Sequence, residues 1–195
     1  WRHDALDRHG DAVDVERAAL TLLDAAATAS ATISDFTGGP RVQGNVAEGT
    51  LGAKFLDWVW QVAKAPPHLA LKTPVRITVP KFAWGPKQAL SVQATARFDA
   101  GQSVAVDLGW TPAAFEVRRA VVKDSRSDAS VAVRSVGRLL EGRFSGSLQS
   151  ASITAMLRSE QVPSGSACGD FHFTVDPENP DRDGTLLNSM HTLIT

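Results

Sequence analysis

From Pro74 to about residue 176, apolar and polar residues alternate with few interruptions. Val75, Ile77 and Val79 alternate with Arg76 and Thr78, and Leu90, Val92, Ala94, Ala96 and Phe98 alternate with Ser91, Gln93, Thr95, Arg97 and Asp99. Successive side chains of a strand point to opposite faces, so a period of two collects the apolar members on one face of a sheet. Ala100-Gly101 makes a tight return, after which Val104, Val106 and Leu108 alternate with Ser103, Ala105 and Asp107. The two runs predict a hairpin with one apolar and one wet face. Further strands are predicted over Phe115–Val122, Ala129–Val133, Leu140–Leu148 and Phe171–Val175, with polar turns such as Lys123-Asp124-Ser125-Arg126 between them. Spacings of roughly a dozen residues favour hairpin connections, and hence an antiparallel meander.

Helical spacing is confined to shorter stretches. Val15, Ala19, Leu22 and Leu23 read as a helix over Asp11 to Ala31, with Asp14 and Glu16 placed where acidic residues favour a helix N-terminus. From Ala26 onward, small apolar residues alternate with hydroxyls, which reads equally as an edge strand until Gly38-Gly39-Pro40 breaks it. A second helix is predicted on Phe55, Val59, Val62 and Ala63, with Leu56 and Trp60 beside them, ending before Pro66-Pro67. A third, short one is predicted over Ser152 to Glu160, where Ile153, Met156 and Leu157 share a face, followed by a loop from Pro163. The expected fold is therefore mainly β with a few short helices (α+β), its long antiparallel meander sheet curled into a groove. The apolar face needs an answer from the fold. Either the sheet curls on itself, or the helices plug its face, or part of the face stays open for a ligand or partner.

Composition and charge narrow the classes. With 195 residues, 43% of them hydrophobic, the chain is rich enough in apolar residues for a folded core. Twenty Lys and Arg against 21 Asp and Glu give a net charge of −1, so no long-range field attracts nucleic acid or an anionic membrane. The lone Cys168 closes no intramolecular disulfide. The start at Trp1, without an export signal, reads as a piece of a longer chain, and no run approaches the roughly 18 apolar residues that span a bilayer.

Chemistry-bearing motifs are sparse. His3, His9, His68, His172 and His191 show no metal-ligand spacing and read as surface residues. Cys168 and His172 stand four apart, about 13 Å in a strand, too far for a nucleophile and base. Asn179 to Gly184 resembles the opening of a calcium loop, but Met190 stands where a bidentate Glu is required, so the stretch reads as a turn. Gly142-Arg-Phe-Ser-Gly146 sets its serine one place late for a nucleophile elbow and reads as strand. Asp124 and Asp128 read as holding a tight turn through backbone amides, and Trp58, Trp60, Trp84 and Trp110 as core. No catalytic residue, metal or cofactor is assigned.

Three stretches resemble the AsmA-like family, large envelope proteins of Gram-negative bacteria related to AsmA and TamB. They are Leu56 to Trp84 (Leu-Asp-Trp-Val-Trp-Gln-Val-Ala-Lys-Ala-Pro-Pro, on to Pro-Lys-Phe-Ala-Trp), Phe115 to Val133 with Lys123-Asp-Ser-Arg-Ser-Asp128, and Glu141-Gly-Arg-Phe-Ser-Gly-Ser-Leu148. The resemblance covers about residues 50 to 178; the family's anchor helix is missing, and the tail after Gly184 lacks a further glycine-bearing strand. It divides the chain into an N-terminal helix or edge-strand segment over 1–48, a β-rich segment with one Trp-bearing helix over 49–178, and a turn and tail over 179–195.

The resemblance implies a non-enzymatic periplasmic segment whose parent is anchored in the inner membrane. Such a parent would support outer-membrane assembly or phospholipid movement between membranes through an apolar β groove. A lipid-carrying groove needs an uninterrupted apolar strip without buried unpaired ions. Leu90, Val92, Ala94, Ala96, Phe98, Val104, Val106 and Leu108 have that composition, and Phe144, Leu148, Phe171 and Phe173 extend it. The partners this implies are phospholipid acyl chains or other envelope proteins, not nucleic acid, with membrane contact made only by parts of the parent outside this chain. The alternative is a structural or protein-interaction module of the envelope, in which the same residues form a closed core under the Phe55–Ala63 helix.

Overall fold

The computed structural model describes residues 2–3, 6–9, 11–62, 70–85, 88–158 and 164–176. Alternation dominates these residues, and strands dominate the fold. Two short strands, β1 (Arg2–His3) and β2 (Leu6–His9), precede β3 (Ala12–Leu22), β4 (Ala25–Ser34) and β5 (Arg41–Leu51). Helix α1 (Ala53–Val62) leads to β6 (Val75–Gly85), β7 (Gln88–Phe98), β8 (Ser103–Thr111), β9 (Ala114–Lys123), β10 (Asp128–Val136) and β11 (Leu139–Gln149). Helix α2 (Ser150–Met156) then precedes β12 (Ser166–Val175). From β3 to β12 the strands lie in the sheet in chain order, each antiparallel to the last, while β1 and β2 both pair with the outer side of β3. The sheet does not close on itself: β12 pairs only with β11 among the described residues.

The expected strands are present with longer bounds, and the expected return at Ala100-Gly101 is closed by the Phe98 amide donating to the Gln102 carbonyl at 2.9 Å. The helix expected over 11–31 is replaced by β3 and β4. A β-bulge explains the misleading spacing. Between Val15 and Ala18 three steps of β3 oppose two of β4, since Val15 faces Ala31 and Ala18 faces Ala29. An extra residue in one strand turns a period of two into a local spacing of three, which imitates a helix. Strand β5 was not expected at all. Its inward positions are Val42, Gly44, Val46, Gly49 and Leu51, and a register shift between Val46 and Gly49 interrupts their alternation. Further shifts in β6 and β9 add local bend and twist, which coil the open sheet.

Both helices lie over one end of the apolar face. Leu56 of α1 and Met156 of α2 pack with Val75 and Phe98 in the buried cluster, with Phe55, Trp60, Leu71, Ile77, Ala96, Val104 and Val122 partly buried against it. Helix α1 starts where Asp24, in the β3–β4 turn, accepts hydrogen bonds from the amides of Lys54 and Phe55 at 3.0 and 2.9 Å. These donors, Lys54 foremost, hold the Asp24 carboxyl below its ordinary pKa, against a smaller effect of desolvation. Thus a remote turn caps the helix and ties the N-terminal hairpin to the core. Helix α2 is shorter than the Ser152–Glu160 expected, because Leu157 leaves it to bridge with Leu71. The Arg158 amide donates to the Ala70 carbonyl at 2.8 Å, and the Arg158 guanidinium reaches Asp57 of α1 at 2.7 Å. Arg158, bonded to Ala70 and Leu71 and paired with Asp57, therefore latches the two helices together.

Candidate functional site

All twelve residues expected to line or extend an apolar strip fall on one face. Leu90, Val92, Ala94 and Ala96 of β7 pair with Trp110, Leu108, Val106 and Val104 of β8, and Phe98 closes the β7 row. Strands β9 and β10 join this patch to Phe144 of β11. Val106 faces Ala120, Ala120 faces Val131, Val131 faces Phe144, and Phe144 faces Phe171. The Phe144 and Phe171 rings stack with centroids 4.8 Å apart. Leu148 pairs with Ala167 in the same set. On the other side, Val92 continues through Phe82, Gly44 and Ala31 to Val15. None of these residues carries a charge, so the strip is apolar from β3 to β12.

Glycine lets this strip pack tightly on itself. Gly142 faces Phe173, whose ring lies over it: a Cβ on Gly142 would come 2.0 Å from the ring. An aromatic ring covering a strand glycine fills the place of the missing side chain.

Exposure along the face is graded. At the helix-covered end Val75 is 1% and Phe98 7% exposed; at the far end Trp84, Trp110 and Phe115 are 42%, 46% and 42% exposed. Between these ends Leu90, Val92, Ala94, Ala96, Val104, Val106, Leu108 and Leu148 are half-buried, while Phe144 is buried. Of the three arrangements open to the sheet, this one combines two: helices plug one end of the face, and the remainder stays open. Trp58, Trp84 and Trp110, expected in the core, are instead exposed: Trp58 lies on the side of α1 away from the buried cluster, and Trp84 and Trp110 stand at strand ends that neither helix covers; Trp60 does pack against the core.

The opposite face is polar and ion-paired. Arg118, at the bulge of β9, donates to Asp107 through Nε at 2.8 Å and through Nη2, and to Ser91 Oγ at 3.0 Å. Arg118 first, and Gln93 after it, hold the Asp107 carboxyl below its ordinary pKa against the opposing effect of desolvation. Arg134 pairs with Glu141 at 2.7 Å on the same face. Hollows of 560 and 500 Å³ lie here too, the larger floored by Thr28, Thr50, Thr78 and Thr95 beside Arg76 and Arg97.

The remaining motifs resolve as local structure where they are described. Asp124 Oδ1 accepts from the amides of Arg126 and Ser127 at 2.7 and 2.8 Å, as its turn role requires. Burial opposes ionisation of Asp124, but hydrogen bonds from Ser152, Arg126, Ser127 and Gln102 outweigh it and keep its pKa low. Asp128 pairs with Lys123 at 3.2 Å. Cys168 and His172 sit exposed on β12, facing Ser147 and Arg143. The stretch from Asn179 to Gly184 lies outside the described residues. Among the described residues, no group of three or more His, Cys, Asp or Glu is placed to hold a metal ion, and no helix is long and apolar enough to cross a membrane.

Fold and face together define an open antiparallel meander with one apolar and one charged side. Compared with protein-family models, with curated proteins and with solved structures, the chain matches none.

Proposed function

We propose that this chain is a segment of an AsmA-like periplasmic envelope protein. Its apolar face carries phospholipid acyl chains, without enzymatic chemistry, in support of outer-membrane assembly or phospholipid transport between membranes. The observation that supports this reading most is the uncharged strip of side chains from β3 to β12, covered by helices at one end and half-exposed beyond them. Acyl chains need apolar contact and no directed hydrogen bonds, and a strip free of ions offers that without stranding a charge. The residues assigned to this contact are Leu90, Val92, Ala94, Ala96, Phe98, Val104, Val106, Leu108, Phe144 and Leu148, with Phe98 at its helix-covered end.

The alternative, a structural or protein-interaction module of the cell envelope, draws support from β12, whose outer side has no strand partner among the described residues. A free edge is a template for a strand of another protein.

Native mass spectrometry of the chain, purified without detergent from a Gram-negative host, separates the two. Phospholipid-sized adducts on the wild type, absent from a folded Val106→Asp chain, are the expected result. A folded wild-type chain that carries no adduct overturns the lipid reading in favour of the interaction module.

A further inference from the structure

The β8–β9 hairpin differs from the surface around it. Its six residues, Trp110-Thr111-Pro112-Ala113-Ala114-Phe115, carry no charge, and all but Thr111 are exposed. The turns that share this end of the sheet do carry charge: Asp35 and Arg41 flank the β4–β5 turn, and Arg138 lies in the β10–β11 turn. Trp110 and Phe115 face each other across the hairpin at 46% and 42% exposure, and Trp84, two strands away, adds a third exposed aromatic.

Side-chain hydroxyls bond the backbone of Ala114 and Phe115, one from the hairpin and one from β10. Thr111 Oγ1 accepts from the Ala114 amide at 3.0 Å and donates to the Ala114 carbonyl at 3.3 Å. Ser135 Oγ does the same for Phe115, accepting from its amide at 2.9 Å and donating to its carbonyl at 3.2 Å. Backbone groups that enter a lipid environment must bring their hydrogen bonds with them, and a charged side chain there is costly. Tryptophan, with an apolar ring and one N–H donor, suits the boundary between headgroups and hydrocarbon.

From this geometry we infer that the β8–β9 hairpin is a membrane-interface anchor, which seats the uncovered end of the apolar strip on the surface of a lipid bilayer. The absence of charge and the exposed rings select the occupant: a tip with no ion to desolvate and with Trp110 and Phe115 outward suits the boundary between headgroups and hydrocarbon. The inference rests on the lipid-handling reading for its purpose, since it places the open end of the strip where acyl chains enter or leave. It also moves membrane contact into this chain, where the sequence placed such contact only in parts of the parent outside it.

Flotation of the full chain with phosphatidylcholine vesicles tests the anchor. The wild type is expected to float, and Ala113→Glu, a change at an exposed turn, to lower the bound fraction at least about tenfold. An environment-sensitive dye on Ala113→Cys in a Cys168→Ser background should brighten with vesicles, while the same dye on Ala100→Cys, at the opposite end of the sheet, should not. A wild type that stays unbound, an Ala113→Glu chain that floats like it, or equal dye responses at both ends overturns the anchor. The two readings fail separately. A chain that floats yet carries no lipid keeps the anchor and loses the groove, and a chain that carries lipid yet does not float does the reverse.

Discussion

Val75→Ala and Val106→Ala delete the same two methyl groups from one sheet face, at places that differ in what lies above them. Val75 is 1% exposed beneath the helices, in contact with Leu56, Phe98 and Met156. Removing its two methyl groups forfeits about 1.6 kcal/mol of transfer free energy. The enclosed void, of about 50 Å³, adds about 1 kcal/mol, for a loss near 3 kcal/mol. Val106 is half-buried and lies outside that cluster, so truncation leaves no enclosed void and forfeits only part of the transfer term, about 1 kcal/mol. The two variants should therefore differ by about 2 kcal/mol, or about 4–8 °C in melting temperature for a chain of this size. Urea unfolding followed by far-ultraviolet circular dichroism, with thermal melts alongside, measures both. Equal losses at the two positions would refute the reasoning, because they would mean that Val106 is as fully enclosed as Val75.

Two further outcomes follow from particular contacts. Gly142→Ala should destabilise by about 1–3 kcal/mol, since its Cβ would enter the Phe173 ring, and adding Phe173→Leu should recover part of the melting temperature. Asp107, whose carboxyl is held below its ordinary value near 3.8, contributes stability that is present above that value and lost as pH falls through the lower, folded value. Melting temperature should thus fall less steeply from about pH 4 to about pH 2 in Asp107→Asn than in the wild type, and identical slopes would remove Asp107 from the acid response.

Regular alternation made β7 and β8 legible in the sequence, because no bulge interrupts their pairing and every large apolar residue keeps its parity from Leu90 to Leu108. The same holds for β11 and β12, whose ten successive pairs run without a shift. Parity failed where bulges entered: the Val15/Ala18 shift disguised β3 as a helix, and the shifts around Val46 hid β5 among glycines. The candidate strip was legible in part. Its composition marked the residues, but how much of the face the helices cover depends on where α1 and α2 come to rest. That follows from long-range contacts, such as Asp24 with the start of α1 and Arg158 with Asp57, which no local pattern encodes. Trp84 and Trp110 escaped for the same reason: an aromatic residue at a strand end is core only if another layer reaches it.

Because sheet order equals chain order from β3 to β12, each strand is held by its sequence neighbours, and among the described residues the two helices add the second layer. Such an array resembles a zip more than a ball. A further hairpin added at either end widens the sheet by about 10 Å and lengthens the apolar strip without disturbing the rest. Tension applied to the two ends of the chain meets the strands one at a time. The ends peel first, each strand of about ten residues releasing roughly 35 Å of chain. The helix-covered cluster, which joins β5 to β9 through Leu51, Val75, Phe98, Val104 and Val122, is then the last part to give way.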